Sequence, residues 1–171
     1  MKCLLILGAG GFGKVVADLA QQSGLYQEIA FLDDGSQGDS VWGKCGEYAA
    51  FADENTAFYP AFGNNTLRLK WIQQLQTERL AVASLVHRTA YVSPMAKLGV
   101  GTIVLPGAIV NTNTVVGMGG IINCNAVVDH DCVLEDGVHI CLNAVIKAEN
   151  RIAQCSKIEA GVVVENRTYP L

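Results

Sequence analysis

From Val86 to Val164 an aliphatic residue recurs every six positions: Val86, Val92, Leu98, Val104, Val110, Val116, Ile122, Val128, Leu134, Ile140, Ile146, Ile152, Ile158 and Val164. A period of six is neither the 3.6 of a helix nor the 2 of a plain strand. It is the period of a hexapeptide β-solenoid, in which short strands turn a corner after every repeat. Four places after each aliphatic a small residue follows: Ala90, Ala96, Thr102, Ala108, Thr114, Ala126, Val138, Ala144, Ser156, Val162 and Thr168, with Gly120, Cys132 and Asn150 as mild departures. With three hexapeptides to a coil, residues 18 apart stack across parallel strands, which predicts between four and five coils. A sandwich would alternate at two and reset at irregular turns. A solenoid also exposes its ends and sides, so a covering domain and subunit contacts are expected.

The preceding stretch has a different rhythm. Lys2 to Leu7 reads as a buried parallel strand that ends in Gly8-Ala9-Gly10-Gly11-Phe12-Gly13. This G-x-G-x-x-G opens a helix from Lys14 to Gln22, with Val15, Val16, Leu19 and Ala20 as its buried stripe. A second apolar run, Glu28 to Leu32, ends at Asp33-Asp34, twenty residues beyond Gly13. Strand, glycine turn, helix, strand and acid form a dinucleotide-binding fingerprint: bare amides at a helix N-terminus for phosphates, and a carboxylate for a ribose hydroxyl. Only about 85 residues precede the solenoid, enough for one mononucleotide-binding half. A single-base nucleotide such as a nucleotide-sugar is therefore favoured over NAD, and glycines that serve packing alone are the remaining reading.

Gly35 to Tyr48 reads as a loop with a short strand around Val41, and Thr56 to Phe62 as a third strand. Gly63-Asn64-Asn65 caps a helix from Thr66 to about Glu78, with Leu67, Trp71, Ile72 and Leu75 buried. Ala81 to Val86 reads as a last strand leading into the first coil. The expected organisation is an α/β, Rossmann-like half-domain over residues 1–85 with about four parallel strands, followed by a hexapeptide β-helix over residues 86–171.

Half of the 171 residues are hydrophobic and the net charge is −4, so the chain reads as globular. No basic run suggests nucleic acid, no apolar run suggests a membrane span, and Cys3 to Leu7 is too short for a signal-peptide core. Six cysteines without a C-x-x-C pair suggest reduced thiols in the cytoplasm and no zinc or disulfide framework.

Candidate chemistry rests on three histidines, His87, His130 and His139. His130 lies in Asp129-His130-Asp131-Cys132. An imidazole beside a carboxylate suits proton removal from a nucleophile. Adjacent residues in a strand leave opposite faces, however, so pairing of His130 with Asp131 requires a corner or bend. A three-histidine zinc site is disfavoured because His87 lies more than two coils before His130. Cys141 beside His139 is a further candidate nucleophile, with a packing thiol as its alternative.

The succession G-A-G-G-x-G-K-V-V-A-D (Gly8 to Asp18), D-D, G-N-N-x-x-R (Gly63 to Arg68) and a hexapeptide region with D-H-D-C and a histidine nine residues on resembles the sialic-acid O-acetyltransferase and nucleotide-amino-sugar N-acetyltransferase family. It is most similar to the bacillosamine-pathway UDP-4-amino-sugar acetyltransferases. The resemblance implies a left-handed parallel β-helix, a homotrimer, and acetyl-CoA as acyl donor along the solenoid, without a metal. It implies N-acetylation of a nucleotide-linked amino sugar for surface glycan synthesis, with O-acetylation of a sialic or related sugar, or a non-catalytic nucleotide-sugar-binding homologue, as alternatives.

Carried onto this sequence, His130 becomes the general base, Asp131 its orienting carboxylate and Asn123 a holder of the acceptor. His139, Asn143 and Ala148 fall on the acetyl-CoA side. Gly8, Gly10, Gly11 and Gly13 would meet the nucleotide phosphates, Asp33 and Asp34 would lie near the nucleoside, and Asn64 and Arg68 complete the substrate set. Phe12 stands where the family usually has histidine, removing a polar group beside the phosphates. Relatives usually continue through further hexapeptides to a G-x-P-A-K-type tail, whereas this sequence stops at Tyr169-Pro170-Leu171. That departure predicts weak acetyl-CoA binding, a different donor or an inactive homologue.

Overall fold

The computed structural model describes residues 3–170; Lys2, read above as the start of the first strand, and Leu171 lie outside them. The chain divides into two compact units, Met1–Ala83 and Ser84–Leu171.

The first unit carries β1 (Cys3–Leu7), α1 (Gly11–Ser23), β2 (Glu28–Leu32), β3 (Val41–Gly43), β4 (Thr56–Pro60), α2 (Asn65–Thr77) and β5 (Ala81–Val82). Its parallel sheet has the order β3-β2-β1-β4-β5. The chain leaves β1 toward β2 on one side and returns to β4 on the other, which makes the carboxyl ends of β1 and β4 a topological switch point. Leu4 to Leu7 are fully buried, as an apolar run covered on both faces must be.

Helix α1 starts at Gly11, three residues before the predicted Lys14, because the amide of Lys14 already closes a helical turn on Gly10 O at 3.1 Å. Its buried residues are Gly13, Val16, Leu19 and Ala20, and Val15 is turned outward. In α2 the buried face is Asn65, Arg68, Leu69, Ile72 and Leu75, which leaves the predicted Leu67 exposed. At 100° per residue the two faces differ by little more than one position, so the apolar pattern alone did not resolve them.

A seven-residue 3₁₀ helix, Cys45–Phe51, lies where a loop was expected, with Cys45 and Tyr48 buried. It is too short to show a period in sequence. The predicted strand from Ala81 to Val86 is two strands. The Ala83 amide donates to Phe58 O in the first sheet and the Leu85 amide to Thr102 O in the solenoid, so the chain changes partner between them.

The second unit is a left-handed parallel β-helix. Its first sheet stacks β6 (Leu85–Val86), β9 (Ile103–Val104), β12 (Ile121–Ile122), β15 (His139–Ile140) and β18 (Lys157–Ile158). The second sheet stacks β7 (Tyr91–Val92), β10 (Ile109–Val110), β13 (Val127–Val128), β16 (Val145–Ile146) and β19 (Val163–Val164). The third holds β8 (Lys97–Leu98), β11 (Val115–Val116), β14 (Val133–Leu134) and β17 (Arg151–Ile152). Partners are offset by one coil, as in Val110 with Val128 and Ile122 with Ile140.

From Val92 to Val164 the second residue of each solenoid strand belongs to the core or packs against it, so the six-residue aliphatic column is the core there; at the first strand Val86 is exposed and Leu85 is buried instead. The small column is buried with it: Thr102, Ala108, Thr114, Ala126, Cys132, Val138, Ala144 and Asn150 are all fully buried. The departures are explained by their neighbours. A Cβ on Gly120 would meet Val116 Cγ1 at 2.5 Å. The Cys132 thiol donates to Lys147 O at 3.3 Å. Asn150 donates to the carbonyls of Lys147 and Glu165, both at 2.8 Å, and accepts the Tyr169 amide at 2.9 Å. A buried amide is tolerable there because its donors and acceptor are all used.

A third column was not anticipated. At every sixth position from Gly101 to Arg167 the backbone has positive φ, and these corners are occupied by Gly, Asn, Asp, Glu149, Cys155 and Arg167. Gly and Asn take this conformation at low cost, which is why they dominate it.

Candidate active site

His130 and Asp131 stand in a corner between the second and third sheets, not in a strand as the alternation argument assumed. Asp131 has φ 57°. This left-handed turn folds its carboxylate back onto the preceding residue, and Oδ2 lies 2.7 Å from Nδ1 of His130. The backbone amide of His130 donates to Asp129 Oδ1 at 2.7 Å, and Asp131 Oδ1 accepts Asn113 Nδ2 at 3.0 Å from one coil before.

Hydrogen bonding to Asp131 raises the His130 pKa above its usual value, and the charges of Asp129, Asp131 and Glu149 act in the same direction. Asp131 is lowered, first by His130 and then by the Asn113 amide. Both side chains are somewhat more than two-fifths exposed, at 44% and 43%, so the pair is reachable by a substrate. With Nδ1 held by a carboxylate, Nε2 is the nitrogen left to exchange a proton with a ligand.

The remaining candidate residues of the solenoid fall on two corners, except His139, which opens β15 of the first sheet. Asn123 does not approach His130 within this chain; it follows β12 at the corner between the first and second sheets, where its Nδ2 lies 3.1 Å from Nε2 of His139. Asn143 occupies the same corner one coil further on, with positive φ and an exposed side chain. Ala148 stands one coil above His130, is buried, and has its carbonyl within reach of Asn150. The two corners flank the second sheet, whose outward column, Tyr91, Ile109, Val127, Val145 and Val163, is entirely apolar.

In the first unit the four glycines divide by role. Gly8 has φ +104°, and a Cβ on Gly13 would run into Gly8 O, so these two let α1 pack against the end of β1. Gly10 and Gly11 are exposed with open space before them. They head the N-terminus of α1, whose first turn carries no acidic residue, and so suit an anion. Phe12 sets its ring edge-on to Tyr59, with centroids 6.4 Å apart.

Asp33 is engaged by the backbone. Its carboxylate accepts from the amides of Ala9 at 2.7 Å, Gly35 at 2.9 Å and Ser36 at 2.6 Å. These bonds, led by the one from Ala9, lower its pKa to about 2. Asp33 thus ties the glycine turn to the loop after β2, while Asp34 Oδ1 accepts the Cys45 amide at 3.0 Å. Asn64 caps α2, accepting the Leu67 amide at 2.9 Å. Arg68 is fully buried and donates to Phe62 O at 3.1 Å and Asn65 Oδ1 at 2.9 Å, so its guanidinium braces the turn after β4.

Two adjoining cavities open beside the glycine turn and the loop after β2. One of about 290 Å³ is lined by residues from Asp33 to Lys44, including Trp42, and one of about 210 Å³ by Ala9, Lys14, Ser36 and Gln37 among others. Lys14, Trp42 and Lys44 were not singled out from sequence, because single exposed residues in a loop or first helical turn carry no pattern.

Among the described residues no group of three His, Cys, Asp or Glu could hold a metal ion, and His87 is hydrogen-bonded to Thr89 Oγ1 at 2.8 Å. Cys141 is buried, and burial raises its thiol pKa, which disfavours the thiolate a nucleophile needs. No helix among the described residues is long and apolar enough to cross a membrane.

Residues 3–75 match the family model of the PglD N-terminal domain. Over 113 residues the chain is 30% identical to the UDP-N-acetylbacillosamine N-acetyltransferase of Bacillus subtilis (strain 168), covering 61% of this chain and 52% of that protein. The chain therefore spans about half the length of that curated relative. The acetyltransferase domain of PglB from Neisseria gonorrhoeae FA1090, in complex with acetyl coenzyme A, is similar with a TM-score of 0.94 and 36% identity over 97% of this chain and 83% of that one. PerB from Caulobacter crescentus, in complex with CoA and GDP-perosamine, is similar with a TM-score of 0.80 and 25% identity over 100% of this chain and 92% of that one.

Proposed function

The chain belongs to the family of PglD-type sugar acetyltransferases, and from that membership we propose that it transfers acetyl from acetyl-CoA to the amino group of a nucleotide-linked amino sugar, with a UDP-4-amino sugar as the favoured acceptor. The observation that carries this reading is the 2.7 Å pair of His130 Nδ1 and Asp131 Oδ2 on an exposed solenoid corner. It occurs in a chain that also holds an open glycine turn at a helix N-terminus.

The chemistry needs few parts. Acetyl-CoA supplies a thioester whose carbonyl carbon accepts a nucleophile. His130 Nε2 takes a proton from the sugar amine as the nitrogen attacks that carbon; the new C–N bond forms, the C–S bond breaks, and the coenzyme leaves as a thiol after protonation. Asp131 holds the ring and stabilises the imidazolium. No acyl-enzyme is required, because a deprotonated amine is itself nucleophilic. Gly10, Gly11 and Lys14 would meet the nucleotide phosphates, and the cavity beside Trp42 and Lys44 would receive the nucleoside.

A homotrimer fits this reading. The apolar outward column from Tyr91 to Val163 needs a cover, and Asn123 and His139 stand on the opposite edge of that sheet from His130. Apposition of one subunit's edge to the next would bring the two groups into one site. Free thiols suit a reducing, cytoplasmic setting.

The test is mass spectrometry of reactions containing acetyl-CoA and UDP-, GDP- or dTDP-linked 4-amino sugars, with His130→Ala alongside. A product heavier by one acetyl group, formed by wild type alone, supports the reading and names the nucleotide. No product with any acceptor overturns it.

A further inference from the structure

The tripeptide Asp129-His130-Asp131 sits directly on Asn111-Thr112-Asn113, one coil earlier. Asn111 Nδ2 donates to Asp129 Oδ1 at 3.2 Å, and Asn113 Nδ2 donates to Asp131 Oδ1 at 3.0 Å. The Asp131 amide donates to Thr112 O at 3.0 Å, and Thr114 Oγ1 to Asp129 O at 2.7 Å. Both carboxylates around His130 are therefore held from the same side by an asparagine amide. Asp129 in turn accepts the backbone amide of His130, while Asp131 meets its ring. The next coil makes no such grip. There Glu149 is drawn into an ion pair with Arg167 at 2.6 Å, and Lys147 pairs with Glu165.

Building on the acetyltransferase reading, we propose that Asn111 and Asn113 form a positioning platform for the general base, with Asn113 fixing the Asp131 carboxylate so that Oδ2 is presented to His130 Nδ1. The geometry explains why an asparagine suits this corner. Asn113 has φ 59°, a conformation Gly, Asn and Asp share, but among these only Asn combines it with a neutral donor aimed along the stack. A carboxylate anchored through one oxygen loses rotational freedom and offers the other in a single direction. The charged groups facing the His130 ring are Asp129, Asp131 and Glu149, the last paired with Arg167.

Two variants separate positioning from a structural role. Asn113→Gly keeps the left-handed backbone and removes only the donor. Asn113→Asp keeps shape and backbone but sets a second carboxylate against Asp131. The imidazole protons of the three histidines are titrated by NMR, with His130 identified by loss of its signal in His130→Ala, and kcat and KM are measured against pH.

With Asn113→Gly the His130 midpoint moves down, kcat falls by about 3- to 10-fold, and KM for the nucleotide sugar stays within about twofold. With Asn113→Asp the midpoint moves up. Midpoints that move together, or do not move in variants with wild-type circular dichroism, overturn the proposal. If wild type transfers no acetyl group, the functional reading fails, yet the titrations still decide whether Asn113 sets the His130–Asp131 pair.

Discussion

Asp131 reaches His130, its immediate neighbour in sequence, across 2.7 Å only because its backbone turns left-handed at φ 57°. An extended chain would have sent the two side chains to opposite faces. The corner therefore makes the His130–Asp131 pair.

Replacing His130 with Ala removes the proposed proton acceptor and leaves the glycine turn untouched. Turnover should fall by about 10²- to 10⁴-fold, while nucleotide affinity measured by calorimetry stays at the wild-type value. Equal loss of both would mark His130 as structural.

Asp131 raises the His130 pKa, and a general base, the role proposed for His130, works in its neutral form. The acid limb of kcat/KM should therefore have its midpoint above the ordinary histidine value of about 6.5. Asp131→Asn should move that limb to lower pH while lowering kcat. The same bond contributes stability that is complete at pH below the unfolded histidine value and is lost as pH rises through the folded one. A limb unmoved in Asp131→Asn would break the link between the two residues.

The Asp33 carboxylate holds three amides, and its pKa is lowered to about 2. Asp33→Asn should cost about 1–2 kcal/mol at neutral pH. A lowered pKa gives stability above the unfolded value of about 3.9 that is lost as pH falls toward the folded one, so the difference in Tm between wild type and variant should narrow below about pH 4. A difference constant with pH would contradict this account. The variant should also weaken nucleotide binding by loosening the glycine turn.

Val145 is the fourth of the five residues in the apolar outward column of the second sheet. A lysine there keeps the inward Ile146 and the coil intact but sets a charge on the stripe. If the proposed trimer closes over this stripe, Val145→Lys should lower the mass measured by light scattering toward that of a monomer and reduce turnover with it. An unchanged mass would remove this face as the subunit contact.

Much of this architecture was written in the chain. The column of aliphatics every six residues determined a solenoid because only a triangular coil turns that period inward at each hit. The glycine turn between an apolar run and a helical stripe determined the parallel unit before it. Tertiary structure settled what depends on neighbouring coils: the grip of Asn113 on Asp131, 18 positions on, and the pairing of Asn123 with His139, 16 positions on.

The sequence alone also could not assign Arg68 and Asp33. A guanidinium and a carboxylate beside a glycine turn read as ligand contacts, and in the fold both also hold backbone or neighbouring amide groups, which no local pattern announces. Local pattern determines periodicity, since each hexapeptide must bury its own side chain. The direction of a polar group is decided by whichever partner the folded chain brings within hydrogen-bond reach, whether from the neighbouring coil, as for Asp131 and Asn113, or from a turn close in sequence, as for Arg68 and Asn65.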